Sequence, residues 1–431
     1  MRIYDLKRNR KGINKIKKRS TTDLAEVIEK VKTIVYDVKN RGDEAVIEYT
    51  KKFDRIELKK LRVTKKEKKE AYSSLKKDEI RAIKNAAKNI RKFCELEKPK
   101  AWFKDISTGI KIGQLIRPIE RVGVYVPGGR FPLPSCTLTS VIPAKIAGVE
   151  KIFVCTPPKE GGIANEAIVV AADIAGANEV FKVGGAQAIA AMAFGTKTIP
   201  RVNKIVGPGN IYVTAAKKLI FGDVGIDFLA GPTEILIIAD DSANPRYIVA
   251  DMLAQAEHDI LASALLVTNS KELGEKVIEE LKKQLRKLTT ADIAKRSLEK
   301  YGGVILVNDL DQAFEFANEF APEHLEIMIN DIKLLEKVKN AGAVFLGEYS
   351  VEAAGDYASG PNNIIPTGGF AKVRAGLSVK DFLKTPTVQV LSKEGLRAIK
   401  NTIITLAELE SLFGHANSVK IRFEGENDDK A

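Results

Sequence analysis

The sequence has few of the side chains that usually carry metal or redox chemistry, with three cysteines and three histidines among 431 residues. Cys94, Cys136 and Cys155 are too few and too scattered for a disulfide framework or a thiolate zinc site. Cys155 ends a predicted strand, but no histidine is near it in sequence. We therefore interpret it as a buried structural thiol rather than a nucleophile.

Long hydrophobic runs are also missing. The longest, such as residues 188–194, fall far short of the roughly 20 residues that a membrane span needs. We expect no transmembrane helix and no membrane partner. The start of the chain lacks the apolar core of a signal peptide, which indicates a cytoplasmic protein.

An excess of positive charge is the main bias in composition, with 69 Lys and Arg against 56 Asp and Glu. The excess is concentrated in residues 7–11 and 15–19, within a basic N-terminal arm of residues 1–20. Such an arm could bind nucleic acid through counterion release. A solvated surface is the alternative, and the Lys/Glu alternation further along the chain favours it, so we expect no nucleic-acid partner.

Alternating strands and helices dominate the chain after a helical first hundred residues. From Arg121 onward, apolar β-branched segments alternate with helical ones, which indicates parallel sheets with right-handed crossovers. The predicted fold is α/β, with two Rossmann-like domains, a helical N-terminal arm and a C-terminal helical tail. One domain combines residues 21–120 and 235–380, the other covers 121–234, and residues 381–431 form the C-terminal segment, mainly helical up to 410 and disordered after Phe423.

Three glycine turns follow strands of the 121–234 domain, namely Gly128-Gly129, Gly184-Gly185 and Gly207-Pro208-Gly209. Ligands of such sheets bind at the carboxyl ends of the strands, where glycine lets backbone amides approach a phosphate. None of the turns is a complete G-x-G-x-x-G motif, and glycine also serves any tight turn. The pattern favours a nucleotide site without excluding that alternative.

Histidine is best suited to metal ligation or proton transfer near neutral pH, and each of the three has polar neighbours. A helix that begins at Asn244 and Pro245 is predicted to carry Gln255 and His258 three positions apart, on one side. They could present an oxygen and an imidazole nitrogen to one point. Glutamine is an unusual metal ligand, so this pair alone is weak evidence for a metal.

Two further segments carry candidate groups. Glu323 and His324 lie in a predicted turn before a strand at residues 326–329, where they could act as a general acid/base pair. The loop of residues 355–363 has one carboxylate, Asp356, that suits a hard cation. A capped surface turn is the alternative interpretation of that loop.

Eight motifs together resemble the L-histidinol dehydrogenase family, zinc- and NAD-dependent enzymes that complete histidine biosynthesis. The resemblance covers residues 20–423. It rests on residues 124–129, 183–188, 204–210, 230–234, 255–259, 321–325, 355–360 and 415–417.

The resemblance implies one zinc ion per subunit and specific roles for residues of this chain. The implied zinc ligands are Gln255, His258, Asp356 and His415. The implied catalytic pair is Glu323 and His324, and the implied NAD contacts are Tyr125, Gln187 and Asn210. The implied substrate contacts are Thr233, Gln255, His258, His324, Asp356, Glu410 and His415.

The implied reaction oxidises L-histidinol to L-histidine through L-histidinal in two hydride transfers. His324 would take the alcohol proton, and Glu323 would activate water in the second step. The resemblance further implies a homodimer in which the C-terminal segment, with Glu410 and His415, reaches the partner's site.

Two positions depart from the family pattern. Thr233 replaces a common serine, which keeps the hydroxyl, and Asn363 replaces a common histidine, which removes a group that titrates near pH 7. A related zinc- and NAD-dependent dehydrogenase of another amino alcohol is therefore the main alternative. A non-catalytic nucleic-acid-binding protein that uses the basic arm is a second alternative, but charge explains none of the eight motifs.

Overall fold

The computed structural model describes residues 1–9, 12–14, 16, 24–128, 131–329 and 331–424. The chain divides into two compact units. The larger unit comprises Met1–Lys98 and Ile119–Phe382, and the smaller comprises Pro99–Pro118 and Leu383–Ala431. The described residues do not include Gly129, part of the basic arm or most of the acidic tail. The prediction of disorder after Phe423 therefore lies largely outside the described residues.

The strands of the described residues are β1 (Arg2–Asp5), β2 (Trp102–Ser107), β3 (Ile110–Gln114), β4 (Arg117–Pro118), β5 (Arg121–Tyr125), β6 (Lys151–Thr156), β7 (Glu179–Lys182), β8 (Lys204–Val206), β9 (Gly225–Ile226), β10 (Glu234–Ala239), β11 (Ser263–Thr268), β12 (Gly303–Leu306), β13 (His324–Ile327), β14 (Ala343–Leu346), β15 (Leu383–Lys384) and β16 (Thr387–Leu391).

The α-helices of the described residues are α1 (Leu24–Arg41), α2 (Asp43–Asp54), α3 (Lys65–Ser74), α4 (Lys77–Glu97), α5 (Pro134–Ala147), α6 (Glu166–Ala175), α7 (Gly185–Phe194), α8 (Ile211–Ile220), α9 (Pro245–Ala256), α10 (Lys271–Leu285), α11 (Ala291–Tyr301), α12 (Leu310–Phe320), α13 (Glu352–Tyr357), α14 (Lys393–Leu409) and α15 (Phe413–Lys420). Short 3-10 turns cover Ile332–Lys337, Phe370–Lys372, Val379–Phe382 and Ile421–Phe423.

A five-stranded parallel sheet has the order β7-β6-β5-β8-β9. Its strand order reverses between β5 and β8, and in open α/β sheets ligands bind at the carboxyl ends of the strands at this point. Helices α1, α7 and α8 bury apolar side chains in one core on this sheet, including Val35, Ile189 and Ala216. The sheet therefore presents the carboxyl ends of β5 and β8 as a ligand-binding edge.

A six-stranded parallel sheet has the order β1-β12-β11-β10-β13-β14. All residues of β10 and β11 are buried, as expected of central strands covered on both faces. The register pairs Ile235 with His324, so β10 and β13 begin side by side. The segments that precede these two strands therefore meet at the amino end of the sheet.

The alternation of strands and helices confirms the predicted α/β class with two parallel sheets. The domain limits, drawn from the sequence, stay a prediction. Within the described part of the chain, no helix is long and apolar enough to cross a membrane.

Several local predictions are wrong. The start of the predicted helical arm is a strand, β1, which pairs with β12 at the sheet edge. Helix α9 ends at Ala256, so His258 lies beyond the helix that carries Gln255, in a turn where Asp259 accepts a hydrogen bond from the Leu261 N–H at 2.9 Å. His324 is the first residue of β13 rather than part of the preceding turn.

The smaller unit contains an antiparallel sheet that sequence analysis missed. Strands β2 and β16 flank β3, and β4 pairs with β15. Residues 383–391 are thus largely extended, contrary to the helical prediction for residues 381–410. The β-branched residues of Thr387–Leu391 suit a strand. Helices α14 and α15 follow this strand.

A buried ion pair fixes the turn after β8. The Lys217 ammonium donates to an Asp227 carboxylate oxygen at 2.6 Å and to the Gly207 carbonyl at 2.5 Å. The other Asp227 oxygen accepts from the Gly207 N–H at 2.7 Å. The side chains of Lys217 and Asp227 are only 4% and 1% exposed. Both backbone polar groups of Gly207 are therefore held by one ion pair.

Replacing Lys217 with methionine is expected to lower the free energy of unfolding by about 3–5 kcal/mol, because it leaves the buried Asp227 charge without its ammonium partner. Urea denaturation measures the change. Lys283→Met is the matched control, since Lys283 pairs with Glu279 on the exposed side of α10 and such pairs contribute little. Equal effects of the two substitutions would contradict this account.

Candidate functional site

The amino ends of β10 and β13 bring together a hydroxyl, a carboxylate and an imidazole. One Glu323 carboxylate oxygen accepts hydrogen bonds from the Thr233 hydroxyl at 2.6 Å and from the Glu234 N–H at 2.8 Å. Glu323 and His324 are both buried. Thr233 thus keeps the hydroxyl function expected at its position and orients Glu323.

One ring nitrogen of His324 lies within hydrogen-bond distance of a carbonyl oxygen. The other has no hydrogen-bond partner in the described residues. Nδ1 lies 3.0 Å from the Glu234 carbonyl oxygen. Because a carbonyl only accepts, Nδ1 carries the proton and Nε2 keeps its lone pair. Nε2 is buried without a hydrogen-bond partner in the described residues. Burial lowers the pKa of His324, which favours the neutral ring that a proton acceptor requires.

Two further carboxylates face this free nitrogen. Nε2 lies 3.7 Å from Glu352 Oε1 and 4.0 Å from Asp356 Oδ1. Ligand atoms of His258, Glu352 and Asp356 all lie within 4.8 Å of one another, close enough to hold one metal ion. The group combines residues from the turn after α9 and from the short helix α13.

The charges at this group favour a cation. Burial raises the pKa of Glu352 well above its usual range, and the neighbouring charges of Asp356, Glu326 and Glu323 raise it further. Burial also raises the pKa of Asp356. A bound divalent cation would stabilise the charged carboxylates and reverse both effects. Imidazole and carboxylate donors without sulfur are compatible with zinc.

Gln255 is completely buried beside the same group. Its amide oxygen faces the carboxylate of Glu352, so two acceptors point at each other. Rotating the amide would let its nitrogen donate to Glu352 Oε2 at 2.8 Å and its oxygen accept from the Glu234 N–H at 2.9 Å. A cation between the two oxygens would favour the first orientation. Gln255 can therefore contribute either a metal ligand or a hydrogen bond to Glu352.

Glu352 is the main site residue that sequence analysis missed. It precedes Asp356 by four positions, a helical spacing that puts both carboxylates on one face of α13 and could have revealed it. Its N–H donates to Glu326 Oε1 at 2.9 Å. Glu326 in turn lies near Asp251, whose pKa burial raises to about 6. These additional acids carry no motif of their own.

Asn363 supports the short helix α13, which carries Asp356. Its amide nitrogen donates to the Asp356 carbonyl at 3.2 Å, and its oxygen accepts from the Thr139 hydroxyl at 2.6 Å. Asparagine at this position therefore fixes the backbone of a candidate ligand. Although the family commonly has histidine at this position, the Asn363 amide nitrogen and oxygen both have hydrogen-bond partners here.

A cavity of about 940 Å³ lies at the carboxyl ends of β5 and β8. Its lining includes Tyr125, Gln187 and Asn210, the three residues that the sequence resemblance associates with NAD, and also His258. The cavity therefore joins the switch point of the five-stranded sheet to the candidate metal group. Its volume is within the range of small-molecule and cofactor sites.

Close packing shapes the cavity wall at two glycines. Gly185 has φ of +64°, and its N–H donates to the Tyr125 hydroxyl oxygen at 3.1 Å. Gly207 has φ of +110°, and a Cβ there would lie 2.1 Å from the Tyr125 carbonyl oxygen. Both positions need glycine for backbone conformation. Asn210 caps α8, its oxygen accepting from the N–H groups of Tyr212 and Val213 at 3.0 and 3.1 Å.

The remaining predicted site residues belong to the smaller unit. Glu410 follows α14, and His415 lies on α15. Both are exposed within the single chain. Cys155 lies in the larger unit, buried and unpaired, and burial raises its thiol pKa, so it lacks the features of an activated nucleophile.

Comparison with known proteins gives one consistent result. The histidinol dehydrogenase family model matches residues 17–423. A histidinol dehydrogenase from Caldanaerobacter subterraneus is 50% identical over 413 residues, 95% of this chain and 96% of the relative. One from Methanothermobacter thermautotrophicus is 48% identical over 411 residues, 95% of this chain and 96% of the relative.

A solved structure agrees with the sequence comparisons. The crystal structure of histidinol dehydrogenase from Elizabethkingia anophelis superposes with a TM-score of 0.96 at 39% identity, covering 99% of each chain. The chain therefore belongs to the histidinol dehydrogenase family.

Proposed function

We propose that this chain oxidises L-histidinol to L-histidine through L-histidinal, with zinc bound and two NAD consumed in sequence. The observation that carries the proposal is the buried His324 Nε2, which has no partner in the described residues and faces Glu352 and Asp356. Membership of the histidinol dehydrogenase family supports the choice of substrate. The enzyme would act in the cytoplasm, where its unpaired cysteines would stay reduced.

In the first oxidation, His324 Nε2 accepts the proton of the substrate hydroxyl. The hydrogen bond from Nδ1 to the Glu234 carbonyl, 3.0 Å long, keeps the ring in the required tautomer. At the carbon that bears this hydroxyl, the carbon–hydrogen bond breaks. NAD accepts the hydride that leaves. The products of this step are the aldehyde, NADH and a protonated His324.

In the second oxidation, Glu323 accepts a proton from the water that adds to the aldehyde. The hydrogen bonds from Thr233 and the Glu234 N–H hold its carboxylate in place. The resulting hydrate transfers the hydride of its carbon–hydrogen bond to a second NAD, and loss of the two hydroxyl protons to solvent gives the carboxylate of L-histidine. Tyr125, Gln187 and Asn210, which line the adjoining cavity, are proposed to contact the dinucleotide.

The proposed zinc ligands are Gln255, His258 and Asp356, with His415 as the fourth. The metal would supply a Lewis acid that anchors nitrogen atoms of the substrate. Thr233, Gln255, His258, His324, Asp356, Glu410 and His415 are proposed to surround the substrate. As the resemblance implies, we propose that Glu410 and His415 act in a homodimer and complete the partner's site.

Glu323→Gln is expected to slow oxidation of supplied L-histidinal by about 10²–10⁴-fold, the usual contribution of a general base. The first NADH from L-histidinol should still form, because His324 remains. Stopped-flow absorbance of NADH separates the two steps, and Glu299→Gln, an exposed change of the same type, is the control. Equal slowing of both oxidations would contradict separate roles for Glu323 and His324.

Metal binding provides an independent test of the proposed function. Asp356→Asn should weaken zinc binding by more than tenfold in equilibrium dialysis, since it removes an ionised oxygen ligand. Asp241→Asn, an exposed change of the same type, should leave it unchanged. Chelation should abolish NADH formation by the wild-type protein, and added zinc should restore it. Full activity after verified metal removal would refute the proposed role of zinc.

A further inference from the structure

We propose that Asp54 accepts hydrogen bonds from the adenosine ribose hydroxyls of the bound dinucleotide and thereby favours NAD over NADP. This inference rests on the proposed function, because it assigns a specificity role within the same dinucleotide cavity. Asp54 lies in none of the eight motifs, and the resemblance implies no role for it. It is the last residue of α2 and lines the cavity together with Tyr125, Gly185 and Gln187.

One oxygen of the Asp54 carboxylate lacks a hydrogen-bond partner in the described residues. This oxygen, Oδ2, is buried. The next residue, Arg55, adopts the left-handed conformation with φ of 59° and ends the helix. The carboxylate therefore lies at the negative end of the helix dipole, which disfavours its charge. Burial raises its pKa to about 6.

Such an oxygen needs a hydrogen-bond donor from a ligand. An unpaired buried acceptor is costly, and that cost is relieved when a ligand donates to it. The two adjacent hydroxyls of a ribose match the two oxygens of one carboxylate. In other dinucleotide-binding sheets an acidic side chain makes this contact with the 2′-hydroxyl.

Neighbouring rings indicate which ribose Asp54 would contact. Phe53 is 51% exposed and lines the cavity, and its ring is stacked on Tyr49 with centroids 5.7 Å apart. Its exposed ring offers a surface for the adenine base. A base at Phe53 would place the attached ribose beside the following residue, Asp54.

Among the described residues, the two lysines that line the cavity already have other partners. Lys30 also lines the cavity, but its ammonium is 2.8 Å from Glu26. Lys52 lies over the Phe53 ring, 5.7 Å from its centroid. A 2′-phosphate would add negative charge next to the Asp54 carboxylate, and the two would repel each other.

Calorimetric binding of NAD and NADP to the full-length protein tests the inference without requiring catalysis. The wild-type protein should bind NAD at least about tenfold more tightly than NADP, and Asp54→Asn should reduce that ratio by about tenfold. Asp54→Glu, which keeps the charge, should retain discrimination against NADP. Glu44→Gln changes an exposed acid on the same helix and should leave the ratio unchanged.

The alternative outcomes are distinct. An unchanged ratio in Asp54→Asn, with the melting temperature retained, would overturn the inference. The inference would also be overturned if Asp54→Asn lost affinity for NAD but not for nicotinamide hypoxanthine dinucleotide. Hypoxanthine lacks the amino group of adenine, so this result would mean that Asp54 contacts that amino group rather than the ribose. Wild-type protein that binds NAD yet forms no NADH from L-histidinol would refute the proposed function and leave the Asp54 inference standing.

Discussion

The convergence of buried carboxylates on one imidazole is the constraint on which the candidate site depends. Glu352 and Asp356 face His324 Nε2, while Glu323 lies on the other side of the same ring, with Oε2 3.6 Å from Nδ1. Burying so much like charge is unfavourable unless a cation or protons compensate it. The same arrangement leaves one basic nitrogen without a partner among the described residues, so the proposed metal binding and proton transfer would occur at a single place.

Backbone geometry explains how two sheets serve one site. The six-stranded sheet contributes the amino ends of β10 and β13, where Ile235 pairs with His324. The five-stranded sheet contributes the carboxyl ends of β5 and β8, where the Lys217–Asp227 pair fixes Gly207. The cavity at those ends includes His258 in its lining. A dinucleotide there would lie next to the candidate metal group, where we propose that the substrate binds.

Sequence patterns predicted the α/β alternation because buried parallel strands and capped helices have local signatures, such as Asn244 and Pro245 at the start of α9. Gln255 and His258 do not share a helix face, because the helix ends at Ala256, between them, although both still reach the site. Glu352, Glu326 and Asp54 have no motif, since only tertiary packing buries the two glutamates and one oxygen of Asp54. The strand β2 was missed because all its residues are exposed.

One site is proposed to carry out two successive oxidations of the same substrate. The direct measurement is the amount of NADH formed per L-histidinol consumed by zinc-loaded protein with excess NAD. The account predicts two NADH per substrate, with L-histidine as the product and no accumulation of free aldehyde. One NADH per L-histidinol, with the aldehyde released into solution, would contradict it.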